Sequence, residues 1–362
     1  MDSAELLNGL KNFYNKRQCG EVSPGAYSFT PGLEPTYWAS SYPALLYSLT
    51  GLLDSFSAED KKQWLNYLRD GQDGDLGFFK EPINKENQPK GPTHQAEDLL
   101  WHGSTFIIGA MHVLGGKPRY PFYIVSEYKN PGKMEEWIEG LNWDNPWKAG
   151  NWTYDMGCIM GSDYEITGDK KNLSAMDEFF SWHDKNTDEN TGWWNPNGES
   201  PLYMQQFGGY HSLMVYWMFG REVPDPEKMI LSSLSLQSDN GSYMEHGCCG
   251  DMDVIDTVVT LSRQYDICHK EVKSSVELFY PYLMKLLDPE GGFIGLHDAL
   301  HIDLGWKLHE GKIGRADPCS TYFRTYTLAL INEILELEWL NEVNWKHMDG
   351  FCHGRRPDLL LK

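Results

Sequence analysis

A glycine–aromatic signature returns along this chain about every fifty residues, and it decides the architecture before any single residue does. It reads Gly192-Trp193, Gly241-Ser242-Tyr243 and Gly292-Phe293, each behind an acidic or Asn-containing turn: Asp188-Glu189-Asn190, Asp239-Asn240 and Asp288-Pro289-Glu290. The aromatic positions 193, 243 and 293 are 50 apart, and a further step back lands on Trp143. Gly77-Phe78 and Gly25-Ala26-Tyr27 extend the series toward the start of the chain. A fixed period of this length marks a repeated supersecondary unit that buries its apolar face only by stacking on its neighbours.

Two helical stretches fill each repeat. One set is apolar and rich in small residues: Tyr37–Leu53, His94–Leu114, Trp152–Ile166, Tyr203–Phe219, Asp253–Tyr265 and Thr321–Leu335. Several of these carry almost no charge, so they have no solvated face and are expected to be buried all round. The other set is amphipathic: Ala58–Arg69, Leu173–Asp184, Pro226–Leu236 and Lys270–Leu287, with Lys, Glu and Asp spaced along one wet face. Buried helices alternating with half-exposed ones predict an all-α double barrel, inner helices inside outer ones. An open solenoid would need polar capping repeats at its ends, and Thr321–Leu335 is as apolar as the middle helices. A closed ring is therefore expected.

The whole chain, 1–362, reads as one such unit, because repeat architectures run long as single domains and no linker or low-complexity stretch divides the 362 residues. The 31 basic against 52 acidic residues give a net charge of −21. That excess argues against nucleic acid, whose affinity comes from Lys and Arg on phosphates, and against an anionic membrane surface. No apolar run reaches the roughly 18 residues of a membrane span. Seven cysteines without a framework, and an N-terminus with no basic and apolar leader pattern, point to a reducing compartment, the cytoplasm. The partner expected is a small-molecule substrate, and the oligomeric state is not fixed by these features.

The turns that carry a glutamine, then a glycine and an aromatic, Gln237-Ser-Asp-Asn-Gly241-Ser-Tyr243 and Gln72-Asp-Gly-Asp-Leu-Gly77-Phe78, resemble those of the terpenoid cyclase and protein prenyltransferase superfamily. The resemblance implies an (α/α)6 toroid in which a glutamine and an aromatic tie successive helix pairs together, with the active site in the mouth of the inner barrel. It speaks to fold more than to reaction, because such a superfold hosts unrelated chemistries.

A pocket there would be built from residues near the N-terminal ends of the buried helices. These are Tyr37 and Trp38; His94, Asp98, Trp101 and His102; Trp152 and Tyr154; Gln206, Tyr210 and His211; Asp253 and Asp256; and Tyr322 and Arg324. Ionisable groups on otherwise buried helices are expensive to desolvate, so they are paired or functional. Asp253 and Asp256 are i and i+3, on one helix face. Close carboxylates in an apolar site push one pKa up and keep one proton available for donation. The segment Asp251-Met-Asp253-Val-Ile-Asp256-Thr257 is similar to the Asp-x-Asp-Asp-Thr motif of class II terpene cyclases, but Ile255 stands where the middle Asp belongs. On the alternative alignment Val254 replaces the third Asp.

The zinc pattern of the prenyltransferases is not matched, since Ile255 follows Asp253 by two and Thr321–Thr325 holds no His. No metal and no cofactor is expected. The resemblance then implies a cyclase that protonates an apolar or prenylated substrate. Asp253 or Asp256 is the donor, His94, His211 or Tyr210 takes up or relays a proton, and Tyr37, Trp38, Trp101, Trp152 and Tyr322 shape the cavity. Asp98, His102, Tyr154 and Gln206 complete the binding wall, and Arg324 orients Asp256 or holds an anionic group. Two alternatives stay open: a glycoside hydrolase or lyase, in which the acidic pair acts on a glycosidic bond and the aromatics stack on sugar rings, or a binding scaffold without chemistry. The 294–314 insertion, with His297, His301, Trp306 and His309, is expected to form a lid.

Overall fold

The computed structural model describes residues 2–81, 94–243, 247–295 and 307–346, and of residues 94–99 and 307 it describes the backbone alone. Among the described residues twelve α-helices alternate between two layers. The outer set is α1 (Ser3–Asn15), α3 (Ala58–Asp70), α5 (Lys133–Glu139), α7 (Lys171–Lys185), α9 (Pro226–Leu234) and α11 (His269–Met284). The inner set is α2 (Tyr37–Leu49), α4 (His94–Val113), α6 (Pro146–Thr167), α8 (Leu202–Met218), α10 (Cys248–Tyr265) and α12 (Pro318–Leu335). β-structure among the described residues is confined to isolated bridges, such as Gln72 with Phe79 and Leu287 with Phe293, across the repeat turns.

The inner helices pack in order, α2 on α4, α4 on α6, α6 on α8, α8 on α10 and α10 on α12, and α12 returns to α2. The ring closes, and the fold is the expected all-α (α/α)6 toroid. Burial separates the layers as the sequence pattern requires: in α8 every residue from Gln205 to Met218 is buried, whereas α3 buries only Trp64, Leu65 and Leu68.

Each repeat turn is wired to the next outer segment. Gln72 Nε2 donates to the carbonyls of Gly77 and Tyr120, both at 2.8 Å, while its Oε1 accepts from the Arg119 and Tyr120 amides. Gln237 does the same for its repeat, donating to the Gly241 and Ser275 carbonyls at 2.9 Å. The turn glycines are needed on two counts. Gly241 and Gly291 have φ of 94° and 102°, a region that L side chains rarely adopt. A Cβ would also meet the Leu278 carbonyl oxygen at 2.4 Å or the Gly9 carbonyl oxygen at 2.2 Å. The second contact shuts the outer layer, because the last turn docks on α1 as earlier turns dock on the helix that follows them.

Several boundaries differ from expectation. α6 starts at Pro146, six residues before the expected Trp152, because Asn145 caps it and proline occupies its first position. α10 starts at Cys248, five residues before Asp253. α1, opened by a capping box between Asp2 and Glu5, and the seven-residue α5 were not read from the sequence. No helix among the described residues is long and apolar enough to cross a membrane.

Candidate active site

Five inner helices present their ninth residue at one level of the barrel: His102, Tyr154, Tyr210, Asp256 and Tyr326 on α4, α6, α8, α10 and α12. Ring contacts run between them and close on α2. Trp38 lies 6.0 Å from His102 and from Phe106, and His102 lies 6.1 Å from Tyr154. Tyr154 is 6.0 Å from His211, which is 5.9 Å from Tyr210. Tyr326 touches Tyr322 at 6.4 Å, and Tyr322 meets Tyr42 of α2 at 6.2 Å. Edge-on and tilted geometries dominate, as the aromatic quadrupole favours.

Asp256 joins the two ends of this set. Its Oδ2 accepts from the hydroxyls of Tyr210 at 2.8 Å and Tyr326 at 3.1 Å, and its Oδ1 from Thr260 at 2.6 Å. Asp253, one turn earlier on the same face, is placed very differently. It is 1% exposed, and its Oδ2 has no hydrogen-bond partner among the described residues. Burial, and then the nearby Cys248, Asp256 and Asp251, push its carboxyl well above the ordinary carboxylate range. A carboxyl oxygen left without a partner in such surroundings favours the neutral form.

Arg324 does not orient Asp256. It is 1% exposed and donates from Nη1 to Asp251 Oδ2 at 3.0 Å, from Nε to the Ile294 carbonyl at 3.0 Å and from Nη2 to the Gly295 carbonyl at 3.1 Å. Asp251 Oδ1 accepts the Tyr243 amide, so this ion pair fastens the fifth and sixth turns to α10 and α12. Asp256 lies more than a turn deeper in α10 than Asp251 and is engaged by hydroxyls instead.

The other expected residues divide between the interior and the layer boundary. His102 Nδ1 is 3.1 Å from Asp155 Oδ1. His211 Nδ1 donates to its own helix, to the Phe207 carbonyl at 2.6 Å, and burial lowers its pKa to about 3. Gln206 Nε2 reaches the Thr257 hydroxyl at 3.4 Å. Tyr37 leaves the inner set and packs on Tyr67 of outer helix α3 at 4.9 Å. Trp101 and Trp152 pair with each other at 5.5 Å, and Trp101 also meets Phe78 of the second turn at 4.9 Å. The side chains of His94 and Asp98 lie outside the described residues, as do His246, His297, His301 and Trp306. The far foot of the 294–314 insertion is described: His309 stacks on Phe29 at 4.6 Å, sits 5.0 Å from Trp38 and bonds Thr36 Oγ1 at 2.9 Å.

Phe106, Tyr326 and Phe323 were missed as site residues. Phe106 and Tyr326 stand four residues beyond His102 and Tyr322, one helical turn deeper. Two cavities lie away from this set, one of about 350 Å³ beside Phe180, Tyr216 and Arg221 and one of about 210 Å³ beside Thr30, Lys312 and Arg315.

No protein-family model and no curated protein matches the chain. Among solved structures it is similar to a polysaccharide lyase, at 15% identity and a TM-score of 0.50, covering 93% of this chain and 98% of that one. It is similar to a family 88 glycosyl hydrolase from Bacteroides vulgatus, at 13% identity and a TM-score of 0.50, covering 92% and 99%. A type II terpene cyclase, MstE from Scytonema with geranylgeranyl dihydroxybenzoate, matches at 10% identity and a TM-score of 0.48, covering 92% and 98%. The first two likenesses show the shared toroid fold. Those two neighbours are a lyase and a hydrolase, so the fold is common to different reactions.

Proposed function

We propose that this protein is an acid–base enzyme of the inner barrel in which Asp253 is the proton donor, acting as a terpenoid-cyclase-like catalyst on an apolar or prenylated substrate. The observation that carries this reading is the buried Asp253 carboxyl, with one oxygen unpartnered among the described residues and a pKa that burial raises well above the ordinary carboxylate range. Trp38 Nε1 and Gln206 Oε1, on α2 and α8, are buried polar atoms that also lack partners among the described residues, and such atoms call for water or ligand.

The chemistry follows from the groups. Asp253 adds its proton to one carbon of a substrate C=C bond, or to an epoxide oxygen, and is left as carboxylate. The cation that forms on the adjacent carbon is attracted to aromatic faces, which Trp38, Phe106, Tyr154 and Tyr322 supply. A second double bond attacks it to close a ring, and loss of a proton restores an alkene. The net change is isomerisation and needs no oxidant, reductant or cofactor.

A second reading, a glycan hydrolase or lyase, is favoured by the two carboxyls one turn apart, one with a raised pKa and an oxygen without a partner among the described residues and the other hydrogen-bonded by three hydroxyls, since glycosidic cleavage uses an acid with a second carboxylate. One experiment tests both. Purified protein is incubated in D2O with prenyl-chain alkenes and with oligosaccharides, and products are read by mass spectrometry. The cyclase reading expects a cyclised prenyl product carrying one deuterium on carbon. Cleaved oligosaccharide with no prenyl product would replace it with the glycan reading, and turnover that survives Asp253→Asn would overturn the assigned acid.

A further inference from the structure

We propose that the cavity of about 210 Å³ beside the last repeat turn is a binding site for a phosphate group, free or carried at the end of a larger ligand. Arg17, Thr30, Glu290, Lys312, Arg315 and Asp317 stand in its wall. The site goes beyond the acid chemistry of the inner barrel and does not depend on it.

Arg17 is the first reason. It is 7% exposed, and its printed partners are all neutral. Nε donates to the Phe29 carbonyl at 3.1 Å, Nη1 to the Phe13 carbonyl at 2.8 Å and Nη2 to the Ala316 carbonyl at 3.3 Å, with the guanidinium 3.6 Å above the Phe13 ring. Burial lowers its pKa from 12.5 to about 10, so the group is still a cation at neutral pH. Charges taken out of water are matched by opposite charge, as in Arg324, whose Nη1 meets Asp251 at 3.0 Å. Arg17 has no such partner among the described residues, and the carbonyls use only part of a guanidinium's donor set.

The charge around the cavity is the second reason. Lys312 is exposed and makes no ion pair among the described residues. The acidic groups nearby are already engaged. Glu290 pairs with Arg315 and, at 3.6 Å, with Lys16. Asp288 pairs with Arg315 at 3.1 Å. Asp317 caps α12, its Oδ1 accepting the Ser320 amide at 2.8 Å and its Oδ2 the Ser320 hydroxyl at 2.6 Å. Lys16, Arg17, Lys312 and Arg315 thus outnumber Asp288, Glu290 and Asp317, a local excess of cation in a chain of net charge −21.

Phosphate fits these groups. Its oxygens accept from a guanidinium fork and from an ammonium at once, and the cavity equals roughly seven water volumes. The wall residue Phe29 stacks on His309, which lies 5.0 Å from Trp38. The site therefore stands two rings from the inner wall, outside the barrel.

The test is a calorimetric titration of the full chain with inorganic phosphate, in chloride at matched ionic strength, with backbone amide NMR to locate binding. One saturable site is expected, with the Thr30 and Gly311 amide signals shifting. Affinity should fall at least tenfold in Lys312→Glu, which should melt with wild type when phosphate is absent. Arg17→Lys keeps the charge and loses the fork, so it too should bind more weakly; if it does not fold, Lys312→Glu alone decides. No saturable binding, binding that Lys312→Glu leaves unchanged, or acetate bound as tightly as phosphate would overturn the proposal. Geranyl phosphate in the same titration assigns the source: Lys312-dependent binding tighter than that of inorganic phosphate marks a ligand-borne group, and equal affinity marks the free anion. Failure on every count leaves the acid assigned to Asp253 untouched.

Discussion

The seams α6–α8 and α10–α12 of the inner ring are built on opposite principles. Between α6 and α8 the backbones themselves touch: a Cβ on Gly150 would lie 2.1 Å from the Gly208 carbonyl oxygen, and one on Gly157 would lie 2.6 Å from Val215. A polar contact crosses there as well, with the Thr153 and Ser212 hydroxyls 2.7 Å apart. Between α10 and α12 the helices are joined through charge, Asp251 to Arg324 and Asp256 to Tyr326, and Asp253 sits among these groups with an oxygen unmatched. A barrel held by close packing at one seam can carry desolvated carboxyls at another, where a polar network costs stability.

The largest effect expected lies in the polar seam. Arg324→Met leaves Asp251 buried without its cation, which costs about 3–5 kcal/mol, and adding Asp251→Asn should recover part of it. Denaturant midpoints of the single and double variants check this, and strictly additive losses would mean the pair is not coupled. Gly208→Ala attacks the packed seam instead. The added methyl would lie 2.1 Å from the Pro146 carbonyl oxygen, where backbone has to move, so the loss should reach about 3 kcal/mol. A variant that melts with wild type would show that the helices separate easily.

Acid sharpens the contrast through linkage. His183 and His211 have pKa values lowered by burial from 6.5 to about 3. As pH falls below about 6.5 the unfolded chain binds protons that the folded rings refuse, so each ring removes up to about 1.4 kcal/mol of stability per pH unit. Asp253 has the opposite sign. Its raised pKa means that the unfolded chain releases a proton above about pH 3.9 that the folded chain keeps, so stability is lost as pH rises. Melting curves between pH 7 and 4 should therefore fall with acid, less steeply in His183→Gln and more steeply in Asp253→Asn. The smallest effect belongs to Tyr326→Phe, which removes one of three hydroxyls from Asp256 at a cost of about 1 kcal/mol, read as a small change in melting temperature.

The toroid was legible because the inner helices are nearly free of charge while the outer ones carry it on one face, and because Gln72 and Gln237 mark turns that must be tied. The site was legible only in part. Asp253 and Asp256 announce themselves as carboxylates on an apolar helix, but nothing in the chain says that Asp256 is matched by Tyr210 and Tyr326, 46 and 70 residues away. The late starts read for α6, α10 and α12 hid the common ninth position that aligns Tyr154, Asp256 and Tyr326. Arg324 was drawn to the wrong aspartate for the same reason. Tyr37 was misplaced because it stands in the first turn of α2, where its ring is turned toward α3.

The most direct test of the buried acid is Asp253→Asn, measured for both turnover and melting temperature near pH 7.5. The amide keeps the shape of the carboxyl and removes its ionisation, so the account predicts a melting temperature equal to or above wild type together with loss of turnover. A variant that melts several degrees lower, or that still turns substrate over, would contradict it.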